Sequence, residues 1–262
     1  MTMTKLMQFG AVAVAAAGLM LGQAKQQAPT TKGSKISKKE ADAINAVAAA
    51  KTPDEKIAAA ENLISNFADT EFKSWALEAA AEASEQKNDF AKAIFYAERA
   101  LEADPKYIDS LILVARETAA HTRENDLDRD DKLTKADKDA KEALELIPSE
   151  PKPSSIKATD AQWEAFKKDE MAQAHVALGL SAMVRKKYAD AATEFQTAVD
   201  NEPTPDPTHM IRLANAYNEA GKPSDALNVA NKLLAMADLN PGYKKFAQQE
   251  KDRAEKAMAA KK

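Results

Sequence analysis

The 262-residue sequence predicts an all-α protein, and its composition, its scarcity of glycine and its regular internal spacing support that fold class. Alanine makes up about a fifth of the chain, and Ala, Glu and Lys are strong helix formers. Of the 7 glycines, only Gly179, Gly221 and Gly242 follow residue 33. A β-sandwich or β-barrel needs many tight turns, and a phosphate-binding loop needs clustered glycines, so the sequence argues against all three.

Start and stop signals divide the chain into successive helices. Ser37 with Glu40 has capping-box spacing before a helix that ends near Lys51, and Thr52 with Pro53 opens a second helix. Apolar periodicity predicts further helices at about 72–87, 89–103, 107–121, 132–146, 160–186, 188–201, 207–220, 223–237 and 241–260.

A proline-rich stretch divides the predicted helices into two halves. Residues 149–158, together with Pro148, have the composition of a stiff, extended linker. We therefore expect an N-terminal half at 37–148 and a C-terminal half at 159–262, and the last helix would cap the structure.

The first residues have the three parts of an export signal. Lys5 precedes an apolar run at 9–21, and Gly22-Gln23-Ala24 places small residues three positions and one position before a cleavage point. The run is shorter than the ~20 residues of a membrane span, although an uncleaved anchor is the alternative. We predict a signal peptide at 1–24, a flexible lead-in at 25–36, and a periplasmic or secreted mature protein without an integral span. Because the chain has no Cys, it is not a lipoprotein.

One spacing of two alanines and a proline occurs three times. The two alanines are seven residues apart, and the proline follows five residues later, in the sets Ala93, Ala100 and Pro105; Ala136, Ala143 and Pro148; and Ala191, Ala198 and Pro203. Two small residues two turns apart lie on one helix face, where a neighbouring helix can approach closely. The proline then ends the helix and sets the next turn. An ordinary helical bundle would not require the same spacing three times.

This pattern resembles the tetratricopeptide repeat family, whose unit is a helix–turn–helix of 34 residues. The best match runs from Ala172 to Pro203 and has Leu178, Gly179, Tyr188, Ala191, Phe195 and Ala198 at the family's positions. Weaker copies are seen at 37–69, at 74–105, at 107–148 with an insert between its helices, and after Pro203. The resemblance implies a right-handed α-solenoid of four to five helical pairs with a C-terminal capping helix.

The resemblance also implies a protein or peptide partner, bound along the inner helices. The predicted partner-binding residues are Gln173, Val176 and Leu180 on one inner helix, and Arg212, Asn215 and Asn218 on the next. Contacts between neighbouring inner helices would explain the same periodicity, so the sequence leaves both interpretations open. On an earlier inner helix, Trp75, Glu78 and Glu82 do not resemble the Lys and Asn clamp with which some family members bind a C-terminal carboxylate.

Charge and residue content argue against several other functions. The formal net charge of −4 provides no basic face for nucleic acid. The chain has no Cys, and its 3 His lie in different helical units, so we predict no metal site, no cofactor and no catalytic residues. The residues that outline a calcium loop are Asp126, Asp128, Asp130 and Asp137. Asp131 stands where such a loop requires Gly, so a solvated acidic loop is the simpler interpretation.

These features predict a non-enzymatic scaffold or assembly factor of the cell envelope that binds a partner segment on its concave face. One alternative is a structural envelope protein that self-associates, or binds cell-wall polymer, through its convex, charged face. Another is an exported enzyme or a calcium-dependent module. The sequence predicts neither the identity of the partner nor the oligomeric state.

Overall fold

The computed structural model describes residues 36–153 and 156–260, so the predicted signal peptide at 1–24 lies outside the described residues. Within the described ranges the chain forms eleven α-helices and one short 3-10 helix, Ile147–Ser149, and no β-strand. The α-helices, numbered α1 to α11 in chain order, are Lys38–Ala49, Pro53–Asn66, Lys73–Gln86, Phe90–Ala103, Ile108–His121, Arg129–Leu146, Asp160–Val184, Tyr188–Asn201, Pro207–Glu219, Pro223–Leu234 and Pro241–Ala259. The predicted all-α class is confirmed.

Capping residues explain where several helices begin. At α2 the hydroxyl of Thr52 accepts a hydrogen bond from the amide of Glu55 at 3.2 Å, and the Glu55 carboxylate accepts one from the Thr52 amide at 3.1 Å. Thr159 and Gln162 form the same reciprocal pair at α7, and the Ser37 hydroxyl caps α1. Each pair satisfies amides that a helix start would otherwise leave without partners.

Two helix ends differ from the predicted bounds by three residues, and the others agree to within two. The helix predicted from residue 132 begins at Arg129 instead, because Asp130 and Asp131 lie in its first turn, where carboxylates are favourable at the positive end of the helix dipole. The helix predicted to reach residue 237 ends at Leu234. The chain then turns through Asp238, whose φ is +56°, and this turn returns Leu239 to the core.

The helices form consecutive pairs, and each helix packs against the next one along the chain. The odd-numbered helices up to α9 are the first helices of the pairs, which we call the inner helices, and the even-numbered helices are the second ones, which we call the outer helices. The inner helix α5 also packs against α7, and α11 covers both α9 and α10. This arrangement is an α-solenoid of five helical pairs closed by α11, as the sequence predicts.

The alanines of the repeated spacing lie where helices meet. Ala93, Ala100, Ala143, Ala191 and Ala198 each have 0% exposed surface. At such positions a methyl group fills the space between two backbones, and a larger side chain would force them apart. The sequence interpretation of these alanines as helix contacts is therefore confirmed.

Three of the turns inside helical pairs share one backbone geometry. Asn88, Lys186 and Gly221 have φ values of +58°, +59° and +71°, and each follows the first helix of its pair. The amide of the next residue in each case bonds to a carbonyl five residues earlier, as in Lys187 to Ala182 at 2.9 Å. This is the Schellman termination of a helix, and its recurrence shows that the pairs are structural repeats.

The segment after α6 packs against the helix that follows it. Ile156 packs against the stacked rings of Trp163 and Phe166 in the first turns of α7. The ammonium of Lys167 donates to the carbonyl of Pro148 at 3.2 Å, which ties the start of the segment to the same helix. Leu111, Ile112, Ala143, Ile147 and Ala174 form one apolar cluster, so a continuous core joins α5, α6 and α7.

Candidate binding groove

Three inner helices line an open cavity of about 180 Å³. It is lined by Glu78, Glu82 and Glu85 of α3, by Asp109, Ile112, Leu113 and Arg116 of α5, and by Phe166, Asp169, Glu170 and Gln173 of α7. The α7 wall includes the first turns of that helix, which precede the repeat matched in the sequence. We call this cavity, together with the adjacent face of α9 that carries Arg212, the groove.

The acidic side of the groove places a buried carboxyl group beside other carboxylates, which is unfavourable for its charged form. Glu78 is 5% exposed, and its carboxylate accepts a hydrogen bond from the Ser110 hydroxyl. Burial raises the pKa of Glu78 well above its ordinary value, and the nearby charges of Glu82 and Asp109 raise it further. The prediction that Glu78 and Glu82 lie on the inner face is confirmed, whereas Trp75 is buried in the core.

Arg116 is the central cation of the cavity, and the sequence pattern did not single it out. Its guanidinium pairs with Glu85 and with Glu117, where Nε and Oε1 are 3.1 Å apart. Burial alone would lower the pKa of Arg116, but these two carboxylates outweigh it and raise that pKa. Asp109, Ile112 and Arg116 lie at helical spacing on α5, and this periodicity was the one signal that could have identified the residue.

Arg212 is the second guanidinium of the groove and differs from Arg116 in forming no direct ion pair with a described carboxylate. Among the described residues no carboxylate forms an ion pair with it and no group accepts a hydrogen bond from it. Burial lowers the pKa of Arg212, and the positive charge of Arg116 lowers it further. The side chain is only partly exposed, so water replaces the missing partner incompletely.

The three predicted residues of the α7 inner face have different environments. Gln173 lines the groove, and its side-chain oxygen accepts a hydrogen bond from Arg116 at 3.4 Å. Val176 is 0% exposed and belongs to the core between α7, α8 and α9, so it has no surface to offer a partner. Leu180 is partly buried against the same core. Helical spacing placed Val176 within one turn of the inner face, but the packed helices on both sides bury it.

Asn215 and Asn218 contact the last helix of the chain instead of open solvent. The side-chain amide of Asn215 donates to Oε1 of Glu250 at 3.1 Å. The amide of Asn218 donates to the backbone oxygen and to Oε2 of the same glutamate, both at 2.9 Å. These bonds hold the capping helix α11 against α9, so both asparagines make a contact between helices of the chain. Of the six predicted residues, the structure therefore brings only Gln173 and Arg212 to the groove surface.

The outlined calcium loop does not form a loop. α6 begins at Arg129, so Asp130 and Asp137 lie on a helix. Lys132 pairs with Asp128 at 3.0 Å, Arg129 with Asp130 at 3.0 Å, and Arg185 with Asp137 at 3.1 Å. In the described part of the chain no group of His, Asp and Glu residues could hold a metal ion.

The three histidines have local structural partners. Nδ1 of His175 lies 2.7 Å from the Glu194 carboxylate, and His209 pairs with the buried Glu202. The ring of His121 lies against Phe90, with centroids 4.1 Å apart. None of these rings lines the cavity.

Comparisons with known proteins agree with this architecture. A tetratricopeptide repeat family model matches residues 161–209 and 176–244. No curated protein sequence matches the chain. The crystal structure of a thermophilic tetratricopeptide repeat protein from Thermus thermophilus is 18% identical, with a TM-score of 0.54, over 76% of this chain and 90% of that one. A tetratricopeptide repeat protein from Parabacteroides merdae is 15% identical, with a TM-score of 0.35, over 84% of this chain and 90% of that one.

The family model supports tetratricopeptide repeats in the part of the chain that it matches. The family model identifies the repeats by sequence from α7 to α11, and the Thermus structure shows the same fold over most of the chain. Repeats of this kind indicate a scaffold for protein interactions. None of the described helices is long and apolar enough to cross a membrane.

Proposed function

We propose that this protein is a non-enzymatic scaffold or assembly factor that is exported to the cell envelope and binds a segment of a partner protein in the groove. The observation that carries the proposal is the cavity itself, which three inner helices line with both charged and apolar side chains. Ile112, Leu113 and Phe166 supply apolar contact, while the surrounding carboxylates and Arg116 supply hydrogen bonds and charge selection. Neither catalytic geometry nor a cofactor is needed for this role.

A capture experiment with two charge reversals tests the proposal. The tagged protein is incubated with envelope extract, and bound proteins are identified for the wild type, for Asp169→Lys in the groove and for Glu145→Lys on the outer helix α6. We expect Asp169→Lys to lose a heterologous partner, because it changes the charge and fills space inside the cavity. Glu145→Lys makes the same change of charge at an exposed position and should capture the partner normally. Equal capture by both variants, with unchanged melting curves, would place the binding site elsewhere.

The second candidate, self-association through the convex face, is favoured by one observation. Phe95 of the outer helix α4 is 53% exposed, and Arg99 lies over its ring at 5.4 Å from the centroid. Large exposed aromatic rings are frequent in protein interfaces. Under this alternative the protein would sediment as an oligomer, and Phe95→Ala would return it to a monomer. A monomer at all concentrations would remove this candidate.

A further inference from the structure

We propose that Arg212 binds the side-chain carboxylate of an Asp or Glu residue in an extended partner segment that lies along the groove. This inference rests on the proposed function and specifies the chemistry of the partner. It predicts a segment with a single acidic residue whose neighbours are neutral or basic.

Arg212 differs from the other arginines of the described chain. Arg116, Arg129, Arg185 and Arg253 each pair with a carboxylate of a neighbouring residue or helix. Arg123 is exposed to solvent, and Arg99 lies over an aromatic ring. Arg212 is the partly buried guanidinium that the described residues leave without either kind of partner.

The two carboxylates whose charges act on Arg212 have other partners. Asp206 and Glu117 are the two acids whose charge acts on it. Asp206 caps α9, where its carboxylate accepts the Thr208 amide at 2.6 Å. Glu117 binds Arg116 through Oε1 and lies 3.5 Å from His121 through Oε2. Arg212 therefore forms no ion pair with these acids, and a carboxylate supplied from outside would form the charge-assisted hydrogen bonds that the described residues do not provide.

The surroundings of Arg212 favour a single carboxylate over a more highly charged anion as its ligand. The adjoining cavity is lined by six carboxylates and one arginine that is already paired, so a phosphate dianion or a nucleic acid backbone would be repelled. The same acids favour Lys or Arg beside the acidic residue of the partner. The charge of Arg116, which lines the cavity, acts on Arg212, so a chain that contacts Arg212 can run on towards Arg116 and the cavity. An internal side chain fits this geometry, and a free chain end is not required.

A peptide selection tests the proposal even though the partner is unidentified. A library of random 12-residue peptides, displayed as fusions without a free C-terminal carboxylate, is selected on the full chain. We expect the recovered peptides to contain one Asp or Glu with basic or neutral neighbours. Changing that residue to Asn or Gln in the synthetic, C-terminally amidated peptide should weaken binding about tenfold, because a bidentate guanidinium–carboxylate pair is lost.

Variants of the protein complete the test as a double-mutant cycle. Arg212→Gln should weaken the binding of the acidic peptide about tenfold. It should not further weaken the binding of the peptide that carries Asn or Gln, since both changes remove the same guanidinium–carboxylate pair. Arg99→Gln removes an equal charge from the outer helix α4 and should leave affinity within about twofold. Arg212→Gln should also melt no lower than the wild type, because Arg212 has no partner within the described part of the folded chain.

The outcomes separate this inference from the proposed function. Peptides that bind in the groove without an acidic residue, or that bind Arg212→Gln as well as the wild type, would overturn the role of Arg212 alone. Recovery of no groove-binding peptide would overturn both.

Discussion

At the scale of single residues, Gly179 shows how closely the repeats are packed. A Cβ atom at this position would lie 2.6 Å from Cε1 and 2.7 Å from Cδ1 of Phe195, which real Cβ contacts essentially never show. Gly179 is in mid-helix, where glycine is less favourable than alanine by about 1 kcal/mol. The close contact with the ring of α8 therefore determines the residue, and helix propensity does not.

Gly179→Ala should destabilise the protein by ~1–3 kcal/mol, because the added methyl group must displace the fully buried ring of Phe195. Urea unfolding followed by circular dichroism measures the change. Phe195→Leu supplies the internal control. In that background, Gly179→Ala should lower the free energy of unfolding by less, because the smaller side chain leaves room for the added methyl group. If Gly179→Ala unfolds at the wild-type urea concentration, the close packing of Gly179 against Phe195 is wrong.

Glu78 should make stability depend on pH. Its pKa is raised in the folded protein, mainly by burial, so at intermediate pH the folded state holds a proton that the unfolded state releases. This contribution is fully present below the ordinary pKa of 4.5 and is lost as the pH rises through the raised value. Glu78→Gln should therefore melt higher than the wild type at neutral pH, and the difference should shrink as the pH falls towards 4.5.

The control for this titration is Glu145→Gln, an exposed change on the outer helix α6. It should leave the pH dependence of the melting temperature unchanged. If Glu78→Gln and the wild type have the same melting temperature at every pH, the buried carboxyl group does not titrate as described.

At the scale of helices, local signals predicted boundaries well because the determinants are short in range. Thr52 and Thr159 mark the starts of α2 and α7, because each pairs with a residue three positions later in a capping box. The groove depends on contacts between helices far apart in sequence, such as Arg116 with Glu85 and Gln173. A periodicity identifies the face of one helix but not what covers it, and this is why Val176 was misplaced and Arg116 was missed.

The last helix should be held in place by two asparagines. Asn218→Ala removes two hydrogen bonds to Glu250, and we expect a cost of about 1–2 kcal/mol. Hydrogen exchange should accelerate in α11 and remain unchanged in α3. Gln248→Ala, on the exposed face of α11, is the matched control. Unchanged exchange in α11 of the Asn218 variant would contradict this contact.

At the scale of the whole molecule, repetition made the fold predictable from sequence. Ala93, Ala136 and Ala191 begin equivalent spacings, and each lies at an equivalent buried helix contact. Each repeat contacts mainly its neighbours, so a correct repeat assignment predicts the packing of the next one. The groove is less predictable because the first turns of α7 add a wall, including Phe166, that the repeat pattern does not contain.

Export is a property of the whole chain and has a direct test. The apolar run and the small residues at 22–24 predict cleavage after Ala24, and the mature protein would begin at Lys25. Cell fractionation followed by N-terminal sequencing should recover that start from the periplasm or the medium. Intact protein beginning at Met1 or Thr2 in the cytosol would refute export.

Photo-crosslinking in intact cells tests the central claim, that a partner segment occupies the groove. A photoreactive amino acid is placed at Glu82, inside the cavity, and in a second strain at Glu145, an exposed position of the outer helix α6. We predict a discrete heterologous adduct from position 82 and none from position 145, because only the first would face the bound segment. Adducts from position 145 alone would contradict this claim and would place partner binding on the convex face.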